Sequence, residues 1–208
     1  MMGLWITFEG IGGSGKSTQA DFLYEYFKKQ SMNVVLTKEP GGTVIGGLLR
    51  NILVINLDVK PESLSELFLF EADRHETFKK IVEPNIKEGI ITISDRGIDG
   101  SIAYQGFGRG LDINMISTLT NLATDNKKPD ITILIDIEPE IAEKRIALRD
   151  NKTMDKFDLE KVDFQSRVRD GFLYTAEKDP NRVKIVDGTK DVQSLHKDII
   201  QIIDSQIK

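Results

Sequence analysis

The stretch Gly10-Ile11-Gly12-Gly13-Ser14-Gly15-Lys16-Ser17 follows the pattern Gly-x-x-x-x-Gly-Lys-Ser/Thr. An apolar run of strand length, residues 4–8, leads into it. Helical spacing follows over residues 16–30, with Ala20, Leu23, Tyr24 and Phe27 on one stripe. Glycines at such a strand-to-helix turn let the backbone direct several N–H groups inward, and the helix adds the partial positive charge of its N-terminus. The result is a nest for phosphate oxygens. In this motif Lys16 reaches the outer phosphates and the Ser17 hydroxyl helps to hold a divalent cation. A glycine-rich turn that binds nothing is the competing reading; the length and placement of the motif weigh against it.

Outward from the loop, strand and helix signals alternate. Residues 33–37 read as a second strand, closed by the turn Pro40-Gly41-Gly42. Residues 64–86 carry apolar side chains at helical intervals, with Pro84 expected to bend or end the helix. Residues 90–94 and 131–137 are further strands, and residues 114–124 are helical. Pro139 suits the first turn of a helix running to about Leu148. The polar stretch 150–158 has no apolar rhythm and reads as a mobile loop. A helix over 162–178, a strand over 183–186 and a closing helix over 192–207 complete the chain. Strands alternating with helices give an α/β fold of three layers, a five-stranded parallel sheet flanked by helices. The whole chain is expected to form one P-loop NTPase-type domain with a lid at about residues 149–159.

The 208 residues carry a formal net charge of -5, so no basic field points to nucleic acid, and an anionic ligand must be held by local Lys and Arg. With no cysteine there is no disulfide or thiolate metal site. No stretch is long and apolar enough for a membrane, and a cytoplasmic location is expected. His75 and His196 lack partners at metal or triad spacing and read as structural. Asn126-Lys127-Lys128-Pro129-Asp130 is one residue too long for a guanine-reading motif and precedes its strand, so it reads as a solvated turn.

Ligands of parallel sheets gather at the C-terminal ends of the strands. Three further clusters fall there: residues 37–43 with Arg50 beyond, residues 70–74, and Asp95-Arg96 with residues 101–110. Taken singly, each has a bland alternative. Arg74 could pair with a nearby carboxylate, Phe70 could be core, and Asp95 with Arg96 could form a structural ion pair.

Together with Phe8-Glu9-Gly10, these clusters resemble the thymidylate kinase family, bacterial type. Lys38 through Thr43 matches its Arg-Glu-Pro-Gly-Gly-Thr turn, and Leu69 to Arg74 matches Leu-Phe-x-Ala-x-Arg. Asp95 to Gly106 matches Asp-Arg followed by Ser-x-x-Ala-Tyr-Gln-Gly. Order and spacing hold to about Phe172. The resemblance implies transfer of the γ-phosphoryl group of ATP to dTMP, with Mg²⁺ and as a homodimer. Gly10, Ile11, Gly12, Gly13, Ser14, Gly15, Lys16, Ser17 and Thr18 would bind ATP, with Arg145 on the adenine face and residues 187–189 bordering that base. Phe70 would stack on thymine, and Arg74, Gln105 and Ser101 would meet its polar edge. Arg50 and Arg96 would clamp the acceptor phosphate, and Tyr104 would lie by the sugar. Glu39 would position the sugar or the metal's water shell, and Ser17 with Asp95 would hold Mg²⁺. Lys16, Mg²⁺ and Arg96 would sit around the moving phosphoryl group, with Asp95 orienting the metal or its waters.

Four positions depart from the family's pattern. Gly12 stands where a carboxylate for the acceptor sugar is usual, leaving Glu39 or water to serve. Gly97 replaces an aromatic residue or His, which is expected to enlarge the acceptor pocket and loosen the backbone beside Arg96. Lys38 exchanges a guanidinium fork for a point charge. The lid segment Asp155-Lys156-Phe157-Asp158 carries Lys156 where the family's catalytic Arg stands, leaving Lys156 or Arg149 to serve as the lid cation. Relaxed acceptor choice, or a nucleotide-binding protein weak in catalysis, are the alternatives these departures leave open.

Overall fold

In the computed structural model, residues 3–55, 58–148 and 156–207 are described. Five parallel strands form one sheet in the order β2-β3-β1-β4-β5. They are β1 (Trp5–Glu9), β2 (Val34–Lys38), β3 (Ile91–Asp95), β4 (Ile131–Asp136) and β5 (Val183–Asp187). The central strand β1 is buried along its whole length, which is why its sequence reads as an unbroken apolar run apart from Thr7 and Glu9. Thr7 meets its burial by a hydroxyl–hydroxyl bond to Thr132, 2.7 Å away on β4. The register pairs Phe8 with Asp95 on one side and with Ile133 on the other, while Lys38 lies opposite Asp95. One edge of the sheet therefore gathers Glu9, Lys38 and Asp95.

Helices α1 (Lys16–Lys29) and α9 (Val192–Ile207) cover one face. Leu23, Phe27, Leu195, Ile199 and Ile203 pack there on Ile6, Phe8, Ile93 and Ile133. Each fully buried side chain of this kind contributes roughly 1.5–3 kcal/mol over leaving it in water. The other face is covered by α8 (Val162–Lys178) and by a short helix, α5 (Asp99–Ser101), that widens into a π-helical segment, Ile102–Gly108. This last element was not legible in its glycine-rich sequence. Its glycines, and one facing it on α8, serve close approach: a Cβ on Gly108 would lie 2.8 Å from the Phe164 ring, and one on Gly171 2.7 Å from the Cα of Ala103.

The remaining helices are α2 (Val44–Arg50), with a π-helical extension Asn51–Ile55, α3 (Ser63–Thr77), α4 (Glu83–Lys87), α6 (Ile113–Ala123) and α7 (Pro139–Ala147). Helix α2 was also missed, although Thr43 caps it by accepting from the Gly46 N–H at 3.0 Å. Pro84 does not end its helix. A π turn, Phe78–Val82, stands just before it and α4 continues to Lys87, absorbing a residue that can neither donate nor fit the regular ladder. Among the described residues no helix is long and apolar enough to cross a membrane.

At the end of β1, the fully buried carboxylate of Glu9 ties the phosphate-loop strand to the turn after β3. Its Oε1 accepts the N–H groups of Gly97 at 2.8 Å and Gly100 at 3.1 Å. Burial raises its pKa to about 8, against the pull of Arg96 and with a further push from Asp99. A carboxylate raised in the folded state stabilises the fold below its ordinary pKa of 4.5, and that contribution is lost as pH rises toward 8. Glu9→Gln keeps an acceptor but cannot ionise. Its melting temperature should gain on that of the wild type as pH is raised from about 5 to 8. Parallel melting curves for the two proteins across this range would contradict the assignment.

Candidate active site

The phosphate loop begins where β1 ends. Gly10, Gly13 and Gly15 take φ values of 140°, 76° and 99°, the conformations that turn successive N–H groups toward one point. Gly15 starts α1 without a side-chain cap, so the first-turn N–H groups are left for an anion. Helix α7 leans against the loop closely enough that a Cβ on Gly13 would lie 2.7 Å from the carbonyl oxygen of Ala142. Lys16 is buried and curls over the loop, donating to the Ile11 carbonyl at 2.8 Å and to Ser14 Oγ at 3.4 Å. The Ser17 hydroxyl donates to Asp95 Oδ2 at 2.5 Å, so the two residues expected to hold a cation meet directly.

Immediately after Asp95, Arg96 adopts a left-handed φ of 75°. Such a conformation costs on the order of 1–3 kcal/mol outside glycine and marks a turn held by its surroundings. Its N–H bonds the Phe8 carbonyl at 3.0 Å. The side chain swings back across the loop, with Nη1 3.4 Å from the Gly10 carbonyl, Nη2 3.3 Å from the Tyr104 hydroxyl and Cζ 4.9 Å from the Tyr104 ring centre.

Loop and acceptor cluster share one cavity of about 250 Å³. Gly12, Gly13, Gly15, Lys16, Ser17 and Thr18 line its loop side. Glu39, Arg50, Phe70, Arg74, Asp95, Arg96, Ser101, Tyr104 and Gln105 line the rest, together with Lys38. Arg145 is half-buried on α7 and is not among the lining residues.

Arg74 commits four of its five N–H groups to the wall. It donates to Glu39 Oε2 at 3.0 Å, Glu71 Oε1 at 2.5 Å, Ser101 Oγ at 2.8 Å and the Gly97 carbonyl at 3.0 Å. The bland reading of Arg74, a partner for carboxylates, thus holds alongside its place in the cavity. Glu39 is buried and its pKa is raised to about 7 by burial, with Arg74 opposing. The Arg50 guanidinium donates to the Pro40 carbonyl at 2.9 Å, and Gln105 Nε2 donates to Glu66 Oε1 at 2.9 Å. His75 bonds the Ala123 carbonyl at 2.9 Å, and Asp130 accepts the Trp5 N–H at 2.7 Å, both structural.

Three expectations change. Gly97 does not enlarge the pocket, because a Cβ there would point into Thr7 Cγ2 at 2.7 Å; nor is the backbone loose, since Glu9 holds its N–H and Arg74 its carbonyl. Lys156 does not reach the phosphate loop. Its ammonium donates to the carbonyls of Ile52 at 2.5 Å and of Val59, and its backbone N–H to the Val54 carbonyl, anchoring this segment on the extension of α2 and the residues just beyond it. Burial there lowers its pKa. Arg149 lies outside the described residues, as do residues 150–155 of the expected lid.

The third change concerns Gly12. A Cβ there would lie 2.4 Å from Asp158 Oδ1, so the Asp158 carboxylate fills the space a side chain at position 12 would take. Beside it, Phe157 is buried against Tyr104 and Phe70, with ring centres 5.1 and 5.9 Å apart. Phe157 and Asp158 both line the cavity. Sequence reasoning assigned neither a role, because nothing local shows that residues so distant in sequence meet the loop.

The family model for thymidylate kinase matches residues 8–199. A thymidylate kinase of Sulfurihydrogenibium sp. is 44% identical over 199 residues, covering 96% of each chain. One of Kosmotoga olearia is 40% identical over 95% of this chain and 94% of its own. The crystal structure of thymidylate kinase from Ehrlichia chaffeensis superposes with a TM-score of 0.80 at 38% identity, covering 98% of this chain and all of that one. A matching family model over nearly the full length, with a phosphate loop and an acceptor cluster walling one cavity, leads to one conclusion: the chain belongs to the thymidylate kinase family.

Proposed function

We propose that this chain transfers the γ-phosphoryl group of ATP to dTMP in the presence of Mg²⁺, giving ADP and dTDP. The observation that carries this reading is the single cavity lined both by the phosphate loop and by the acceptor cluster. Phosphoryl transfer needs little covalent help; the reactants must be aligned, neutralised and shielded from water. Lys16 releases the Ile11 carbonyl to contact the outer phosphates of ATP, with the adenine near Arg145. Arg50 and Arg96 clamp the acceptor phosphate from two sides, and the fixed turn at Arg96 aims its guanidinium without further ordering. Phe70 supplies a face for thymine, Tyr104 borders the sugar, and the wall of Arg74, Ser101 and Gln105 meets the base edge.

The Ser17 hydroxyl and Asp95 carboxylate are hard oxygen donors at contact distance. Mg²⁺ takes one or two such protein oxygens and fills its other positions with phosphate and water. When bound, the ion neutralises charge on the phosphates. Asp158 takes the part of the carboxylate that Gly12 lacks and accepts from the acceptor sugar; Glu39 is already engaged by Arg74. The lid cation is Arg149, or Lys156 once freed from its carbonyl partners.

The partner assigned to the apolar face of α2, α3 and α6 is a second copy of this chain. Val44, Ile45, Leu48, Phe68 and Leu122 are exposed there. Sedimentation equilibrium should give a dimer, and a monomer at micromolar concentration would contradict this assignment.

A coupled assay offering dTMP, dUMP, dCMP or dGMP with ATP and Mg²⁺ tests the function. Preferential turnover of dTMP is expected, whereas comparable rates with several acceptors, or ATP binding without turnover, would overturn it. In the same assay Lys16→Ala should abolish transfer while leaving the fold intact. Asp158→Ala should raise KM for dTMP roughly ten- to hundredfold, the worth of a hydrogen bond to a charged group, with KM for ATP little changed.

A further inference from the structure

Arg109 ends the π-helical segment Ile102–Gly108 and lies between three elements that the cavity depends on. Toward α3, its Nε and Nη2 each lie 3.3 Å from a different oxygen of the buried Glu66 carboxylate. Toward the far end of the lid, Nη1 donates to Glu160 Oε1 at 2.6 Å. Its guanidinium carbon sits 4.6 Å from the Phe164 ring centre on α8 and 5.7 Å from that of Phe157. One planar group thus bridges two carboxylates and lies against two rings.

Both ends of this bridge reach the cavity. Glu66 Oε1 is shared, accepting Gln105 Nε2 at 2.9 Å as well as Arg109. An ionised carboxylate only accepts, so Glu66 fixes which way the Gln105 amide is turned: nitrogen toward Glu66, leaving the oxygen as the end available to a ligand. On the other side Glu160 follows Phe157 and Asp158, both of which line the cavity. The Phe157 carbonyl is also held by Gln165 Nε2 at 2.6 Å, so with Lys156 on the α2 extension this stretch is fastened at three points.

We propose that Arg109 is a positioning residue that couples the lid to acceptor recognition. Through Glu160 it holds Phe157 and Asp158 over the cavity, and through Glu66 it sets Gln105 to present an acceptor to a base N–H. The proposal rests on the reading of this cavity as the dTMP site. A ring N–H flanked by carbonyls distinguishes thymine from cytosine, whose corresponding ring nitrogen is an acceptor. An amide oxygen facing that position favours the first and repels the second. Lysine cannot replace Arg109, because a point charge cannot span two carboxylates as a planar fork does.

The test uses the full-length enzyme and four proteins: wild type, Arg109→Lys, Glu160→Gln and the double variant. Steady-state kinetics are measured with dTMP and dCMP, and melting temperature is measured in parallel. Arg109→Lys should raise KM for dTMP roughly tenfold, narrow the preference for dTMP over dCMP, and leave KM for ATP within about twofold. Glu160→Gln should raise KM for dTMP without altering the base preference, and the double variant should be no worse than Arg109→Lys alone. A lower melting temperature with unchanged KM and base preference would reduce Arg109 to a structural brace and overturn the proposal. So would effects of the two substitutions that multiply independently. If Arg109→Lys does not fold, Glu160→Gln carries the lid arm alone, and an unchanged KM there overturns the coupling. Failure of the wild type to phosphorylate dTMP would instead remove the reading on which the proposal stands, and the proposal with it.

Discussion

Backbone N–H groups at the start of α1 have no acceptor within their own helix and no side-chain cap, and the rest of the site is organised around that deficit. An anion satisfies them, and the parallel sheet decides what else that anion meets. Because β1, β2 and β3 run the same way and in register, their C-terminal ends bring Glu9, Lys38 and Asp95 to the loop's mouth. The Ser17–Asp95 contact and the turn at Arg96 follow from that alignment. In this fold the strand register is what converts a phosphate-binding turn into a two-substrate site.

Charge is arranged in two tiers. Nearest the cavity stand the cations Lys16, Lys38, Arg50 and Arg96, which in the proposed function face the phosphates of two anionic reactants. Behind them, Glu9, Glu39 and Glu71 are buried against Arg74 and the backbone of the Asp95–Ser101 turn, holding the cavity wall in place. Burial raises the pKa of Glu9 to about 8 and that of Glu39 to about 7, so this inner scaffold is sensitive to pH near neutrality. The segment Lys156–Glu160 adds Phe157 and Asp158 from the far side, held by bonds that Lys156, Arg109 and Gln165 make.

What was legible in the sequence was what local chemistry dictates. The apolar period located all five strands and the long helices α1, α8 and α9, and the glycine spacing located the phosphate loop. Short elements built on glycine were not legible. Helix α2 is short, with two glycines at its centre, and the Asp99–Gly108 stretch carries three; both are weak helix formers supported by contacts with α3 and α8. Contacts between distant segments were equally hidden. Nothing in residues 95–98 says that Gly97 packs on Thr7, and nothing near Lys156 says that its ammonium will settle on carbonyls of the α2 extension. The carboxylate absent at Gly12 illustrates both halves of this: its absence is plain from one residue, and its replacement by Asp158 needs the three-dimensional structure.

The central claim is that donor and acceptor occupy one continuous cavity, with the transferring phosphate between Lys16 and Arg96. Calorimetric titration with a bisubstrate compound, adenosine and thymidine joined through a chain of phosphates, tests it most directly. Binding should be at least about a hundredfold tighter than that of ATP or dTMP alone, as expected when two linked ligands reach adjoining subsites. A linked compound that binds no tighter than either nucleotide would contradict the account.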